Sequence, residues 1–394
     1  MENLFTKLTV AEYFAGIGLV RMGLQPFGWQ IVFANDISRK KQEMYRDFFP
    51  DAVDHYAVED VFDVDPLKVP SAILATCSFP CVDLSLAGNM SGIVEGSHSS
   101  AFWGFVNILK IQGDSAPPLI LLENVPGWLY SNKGLDFRIT VEALNELGYA
   151  CDVFVLDALR FTAQSRSRVF LVGTKFPVKY STAELILTRP KSLLSDRLRK
   201  SIVANKDLHW FYNHLPVPPP LRSTGLTEIV EQMNELDNRW WSDDEVNRHL
   251  EMMNSDHLAR VKRLEQGNQF SYRTFFRRRR SGYQRAEVRN DDLSGCLRTA
   301  VGGSGKQFLV RAGQDSVRMR AMTPREYARL QGVPDTFPIF INGVQALTGF
   351  GDAVCVPVIS WIAEHVLNPL AENGSPVYHR RLPHAQLFLL ENGR

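Results

Sequence analysis

Six short apolar runs punctuate the first 175 residues: LTVAEYFAG, WQIVFAND, PSAILATCSFP, PPLILLENVP, YACDVFVLDA and SRVFLVGTKF. Each has the length and composition of a buried strand, and several of the intervals between them can hold helices. Strand, helix, strand repeated in this way predicts an α/β fold on a doubly wound, mainly parallel sheet. Ligands of such sheets lie at the carboxyl ends of the strands. Every run here ends in small or polar residues, so chemistry is expected at those ends.

The pattern breaks at about residue 176. Residues 176–295 hold PVPPP (216–220), the pair Trp240 and Trp241, an amphipathic helix expected across 243–265, and YRTFFRRRRSGYQR. Strand alternation is lost there, which predicts a separate, smaller and irregular module. The pattern returns near residue 297: TPREYARLQG (323–332) offers Thr323 as N-cap, Pro324 at the first helical position and Glu326 to close a capping box. A second helix is expected from about Asp352 to Val366, and residues 371–394 read as a loosely packed tail. The chain thus divides into 1–175, 176–295, 296–370 and 371–394.

With 394 residues, 45% of them hydrophobic, the chain can bury a large core. A formal net charge of +1 gives no global attraction to nucleic acid, so any such contact must come from a local patch. The five cysteines (77, 81, 151, 296 and 355) are odd in number and irregularly spaced, and residues 1–10 carry no signal-like apolar run. A reduced, cytoplasmic setting is expected, and no segment resembles the ~20 apolar residues of a membrane span. Cys77 and Cys81 would suit a metal only with two further ligands nearby, and none is present, so no metal site is expected.

Several strand ends carry candidate chemistry. In FAGIG, Gly16 and Gly18 allow a sharp turn and close approach of backbone to a ligand, although a plain glycine turn reads the same way. Asp36, ending IVFAND, can accept hydrogen bonds from both hydroxyls of a ribose, and Asp60 in VEDVF from an adenine amino group. Together they suggest a nucleoside cofactor. In ATCSFPC, Cys77 reads as a buried hydrophobe; Cys81, beyond a strand end and a proline, is either that or a nucleophile. Glu123 stops the run LILLE and is either a solvated strand end or a proton-sharing group. In QSRSR, Arg166 and Arg168 project to one side of an extended segment, as an exposed pair or as fixed guanidinium groups for an anionic substrate. Arg277, Arg278, Arg279 and Arg280, flanked by aromatics, form the one dense basic patch, which favours nucleic-acid contact over a merely solvated face.

Taken in order, these stretches resemble the DNA (cytosine-5) methyltransferase family. FAGIG is similar to its first motif, SFPC to its Pro-Cys motif, ENV (123–125) and QSRSR to two more, RAMTPREYARLQGVPDTF to its bracing helix and GDAVCVPV to its last motif; Asp36 matches its acidic residue. The resemblance implies a class I, Rossmann-like methyltransferase using S-adenosyl-L-methionine, with Phe14, Gly16, Ile17, Gly18, Asp36, Ile37, Asp60, Val61, Pro80, Asp352, Ala353 and Val354 around the cofactor. It makes Cys81 the nucleophile at cytosine C6, with Glu123, Arg166 and Arg168 completing the catalytic set. Ser85, Asn124, Gln164 and Arg277 to Arg280 would contact the substrate. The glycine-rich stretch 85–100 would be a mobile loop closing over a flipped base, and 176–295 the target-recognition domain.

Two departures from the family pattern stand out: Val82 follows the cysteine where glutamine is common, and Asp352 replaces the usual asparagine of the last motif. The resemblance further implies double-stranded DNA as partner and a monomer in the cytoplasm. A cognate restriction endonuclease would act beside it without a stable complex. Rival readings are a transfer-RNA cytosine-5 methyltransferase, a catalytically inactive DNA-binding relative and a nicotinamide oxidoreductase. The roughly 120-residue insert disfavours the first, the intact catalytic set the second, and Pro-Cys with QSRSR the third.

Overall fold

The computed structural model describes residues 7–80, 101–177, 183–280, 282–299, 305–341 and 343–374. Seven strands form the large sheet: β1 (Leu8–Tyr13), β2 (Trp29–Asp36), β3 (Tyr56–Val58), β4 (Leu74–Cys77), β5 (Leu119–Asn124), β6 (Ala150–Asp157) and β7 (Ser167–Thr174). Their spatial order is β3-β2-β1-β4-β5-β7-β6. Strands β1 to β5 are parallel, whereas β7 runs antiparallel to both β5 and β6. All six apolar runs are strands; the three-residue β3 is too short to show in the sequence pattern.

The runs lack polar alternation because both faces are buried. Leu119 and Leu121 enter one core with Val10, Leu74 and Phe154, while Ile120 and Leu122 enter the other with Ala11, Ala75 and Val153. A period of two therefore sorts apolar residues between two hydrophobic layers.

The module expected to be irregular contains a second sheet: β8 (Ser271–Arg280), β9 (Tyr283–Val288), β10 (Gln307–Gly313) and β11 (Ser316–Ala321), antiparallel in the order β11-β10-β8-β9. Four consecutive arginines are strand because 277–280 pair with 283–286, and Gly282, at φ +82°, serves the turn. Phe275, Val288, Phe308, Val310 and Met319 form its own core with Val246, Met253 and Val261. The helix expected across 243–265 is two, Asp243–Glu251 and Ser255–Glu265; the side chain of Asn254 caps the second.

Packing groups the chain differently from the boundaries at 176 and 295. Ile186, Leu198, Ile202 and Trp210 enter the core of the large sheet, and Arg189 lies 2.6 Å from fully buried Asp152 on β6. The second sheet, conversely, runs on to Ala321. Sequence character shifts at residue 176 because the strands end there, but the hydrophobic contacts do not.

The helix Pro324–Leu330 has the expected capping box. The helix placed at about 352–366 starts at Val356, with a proline in its first turn, and runs through Ile362 into a wider turn at Ala363–Leu367 and on to Asn368–Gly374; a separate helix, Gly343–Asp352, precedes it and ends at the aspartate. The continuous stretch Gly343–Asn373 is apolar and long enough to cross a membrane, but 72% of its most apolar window is buried inside the fold, as for a core helix. Most of the expected tail, residues 375–394, lies outside the described residues, as do Cys81, Val82, Ser85 and the glycine-rich stretch.

Candidate active site

The carboxyl ends of β1, β2, β4 and β5 open onto a cavity of about 870 Å³. Because β7 is antiparallel, its amino end lies on this same edge, which carries Arg166 and Arg168 to the end of β5.

At β1 the chain turns through left-handed backbone at Phe14 (φ 56°), Gly16 (φ 57°) and Gly18 (φ 85°). A Cβ on Gly18 would stand 2.9 Å from the rings of Phe49 and Tyr45, so packing as well as φ demands glycine. One oxygen of Asp36 accepts from the Gly16 amide (3.0 Å) and the other from the Ser38 amide (2.9 Å). Each carboxylate oxygen retains acceptor capacity toward the cavity. The Asp60 carboxylate accepts from the Phe62 amide (3.1 Å).

Ile37 is 69% and Phe62 58% exposed, both on the cavity wall. Two exposed apolar side chains beside Asp36 and Asp60 offer flat contact to an adenine ring. No local signal in the sequence marked Phe62. Val61, expected beside the cofactor, also lines the cavity, although it is only 4% exposed and packs in the core against Gly104. Ile17, Pro80, Asp352, Ala353 and Val354 also line the cavity.

Glu123 and Arg168 face each other at 2.8 Å, with 11% and 13% of their side chains exposed. Arg166 is nearly buried and donates to the carbonyls of Leu297 (2.9 Å), Gly351 (3.2 Å) and Ala353 (2.8 Å). It braces the segments behind the cavity, whereas Arg168 reaches the carboxylate. The two arginines do project to one side, since both guanidinium groups approach the Cys296 sulfur, at 3.5 and 3.9 Å. Burial works to raise that thiol's pKa, but Arg166, Arg168 and Arg298 together outweigh it and hold it below the ordinary value. Nothing local in the sequence marked Cys296.

Two expected substrate contacts are used internally. Gln164 is fully buried: its amide nitrogen donates to Leu330 O and Gln331 Oε1, and its oxygen accepts from Leu297 N. Asn124 donates to Phe79 O (3.2 Å) and accepts from Val125 N (2.8 Å), tying the end of β5 to the residues before Pro80. Cys77 is buried in β4, and burial raises its thiol well above the ordinary value, as suits an inert core cysteine. Among the described residues no cluster of metal-ligating side chains occurs.

The arrangement is matched across the chain by a family model for C-5 cytosine-specific DNA methylase, over residues 8–368. The chain belongs to that family. It is a DNA (cytosine-5)-methyltransferase family enzyme, and S-adenosylmethionine is the family's general methyl donor. The enzyme is 29% identical over 381 residues to the type II methyltransferase M.HaeII of Haemophilus aegyptius, covering 96% of this chain and 98% of that one. To M.SsoII of Shigella sonnei it is 27% identical over 367 residues, covering 92% and 81%. Its fold is similar to that of the S. pombe Dnmt2 methyltransferase, with TM-score 0.60 at 19% identity, covering 93% of this chain and 99% of that one.

Proposed function

We propose that the enzyme methylates C5 of a cytosine within a short DNA sequence, taking the methyl group from S-adenosylmethionine, as the modification partner of a restriction or related defence system. The observation that carries this reading is one cavity lined by the Gly16 turn, Asp36, Asp60, Pro80, Glu123 and Arg168. Those residues fit the methyl donor: Asp36 offers acceptors for a ribose, Ile37 and Phe62 flat contact for adenine, and the glycine turn room for close approach. When bound, S-adenosylmethionine supplies an electrophilic methyl group to the cavity.

The remaining chemistry falls to the protein. C5 of cytosine is a weak nucleophile, and Cys81, which directly follows Pro80, would add its thiolate to C6 and make C5 enamine-like. Glu123 would hydrogen-bond N3 and the exocyclic amine of the ring as charge develops, with Arg168 fixing its carboxylate and facing the base. After methyl transfer, loss of the C5 proton and expulsion of the Cys81 thiolate restore aromaticity. Since C5 and C6 are stacked within a duplex, the base must leave the helix to reach the cavity.

The second sheet supports a DNA-binding role. Its β8–β9 ribbon extends beyond the pairing of β10, which ends at Phe276. Alternation sorts the arginines: Arg278 and Arg280 share a face with Arg285 and Tyr283, whereas Arg277 lies half-buried over the Phe308 ring. A two-stranded ribbon with such a face fits a major groove. The relatives named type II methyltransferases support the restriction-modification setting.

Bisulfite sequencing of DNA from cells lacking other cytosine methylation, expressing the wild type or Cys81→Ala, tests the reading. One short motif protected only by the wild type is expected. If DNA stays unprotected while transfer RNA gains 5-methylcytosine, the substrate is RNA.

A further inference from the structure

Asp352 departs from the asparagine usual at its position, and it does not stand alone. Its Oδ2 lies 3.0 Å from Lys41 Nζ, and its Oδ1 accepts from Thr299 Oγ1 at 2.6 Å. The ion-paired side chains are 25% and 29% exposed, and all three residues line the cavity. Lys41 belongs to the helix Arg39–Phe48 that follows Asp36; Asp352 ends the helix Gly343–Asp352.

A carboxylate at a helix carboxyl end opposes the helix dipole, so this position favours an aspartate only with a cation beside it. Lys41 supplies that cation. Burial works against the Lys41 ammonium, but Asp352 and Asp36 outweigh it and hold its pKa above the ordinary value. Asparagine at 352 would leave Lys41 with no direct carboxylate partner in the pair. The aspartate therefore matches a charge carried by a different helix, one that only folding brings near.

We propose that Lys41 and Asp352 form a charge-balanced clasp that keeps the cavity wall electrically neutral, so that the wall does not bias the preference between the methyl donor and its demethylated product. The inference rests on the cofactor assigned above. S-adenosylmethionine carries a sulfonium cation, whereas S-adenosylhomocysteine is a neutral thioether of nearly the same shape. An unbalanced wall charge acts on the first and leaves the second almost untouched, so it alters their affinity ratio without altering fit. With the clasp intact, the wall contributes little to that ratio, and product is not displaced from the site by electrostatics alone.

The test is calorimetric binding of both compounds to the wild type, Lys41→Met, Asp352→Asn and the double variant, at low and moderate salt. Lys41→Met should shift the affinity ratio toward the cationic donor and Asp352→Asn toward the neutral product, each roughly three- to tenfold, with attenuation by salt. The double variant, again neutral, should return to within about twofold of wild type, a reversal that a merely structural role does not produce. Lys41→Gln serves as a second neutralising change if the methionine variant is unstable. Wild type that binds both compounds with a ratio unmoved by either single change, or moved in the same direction by both, overturns the proposal alone. Wild type that binds neither removes the cofactor reading and the clasp with it.

Discussion

Arg168 Nε lies 2.8 Å from Glu123 Oε1, across two antiparallel strands whose ends meet at the cavity. Removing the guanidinium frees the carboxylate to reorient at the moment it must face the base. Arg168→Ala and Glu123→Gln should each lower kcat at least ~100-fold, with Tm changed little, and Arg168→Lys should recover part of the loss by restoring charge without the fork. Single-turnover methylation and a thermal melt on the same preparations check this; equal rates in wild type and Arg168→Ala would refute it.

Arg166 should behave differently although it sits two residues away. Its guanidinium satisfies the carbonyls of Leu297, Gly351 and Ala353, and its removal strands acceptors that cost about 1–3 kcal/mol each when unpaired. Arg166→Ala should therefore lower the urea midpoint markedly. A stability loss smaller than that of Arg168→Ala contradicts the division of roles.

Glu12 on β1 is fully buried beside the glycine turn and accepts from the Tyr45 hydroxyl at 3.2 Å. Burial is the dominant influence, outweighs Tyr45 and Arg21, and pushes its pKa up to about 8. The folded protein then holds a proton that the unfolded chain releases near pH 4.5. Its contribution to stability is fully present below pH 4.5 and is lost as pH rises toward 8, a change on the order of a few kcal/mol. Glu12→Gln should flatten the wild-type decline between pH 5 and 8.5 in urea titrations; parallel profiles would count against it.

Arg278, Arg280 and Arg285 share one face of the projecting ribbon. Their joint replacement by glutamine should reduce the slope of log K against log salt for duplex binding by about 2 to 3, one phosphate contact per arginine. Arg277→Gln should instead lower Tm and leave the slope alone, since that side chain packs over Phe308 at 4.7 Å. Fluorescence anisotropy across a salt series distinguishes the two groups.

The six long strands, the mainly parallel sheet, the capped helix at Thr323 and the acidic strand ends Asp36 and Glu123 were legible in the residues alone. Each depends on local signals: apolar runs, a capping box, a carboxylate that abruptly ends a hydrophobic stretch. What the local pattern did not disclose were properties of pairing. Whether Arg277 to Arg280 form a strand depends on a partner at 283–286; whether 183–210 belongs to the large sheet depends on Asp152 waiting beneath Arg189; that Phe62 joins Val61 on the cavity wall, and is the more exposed of the two, depends on how the chain packs beside Gly104. The division of labour between Arg166 and Arg168, the internal use of Gln164 and the match of Lys41 to Asp352 were decided only by tertiary structure. A side chain's chemistry is written in its type, but its role follows from which acceptors and charges the rest of the chain sets within about 3 Å of it.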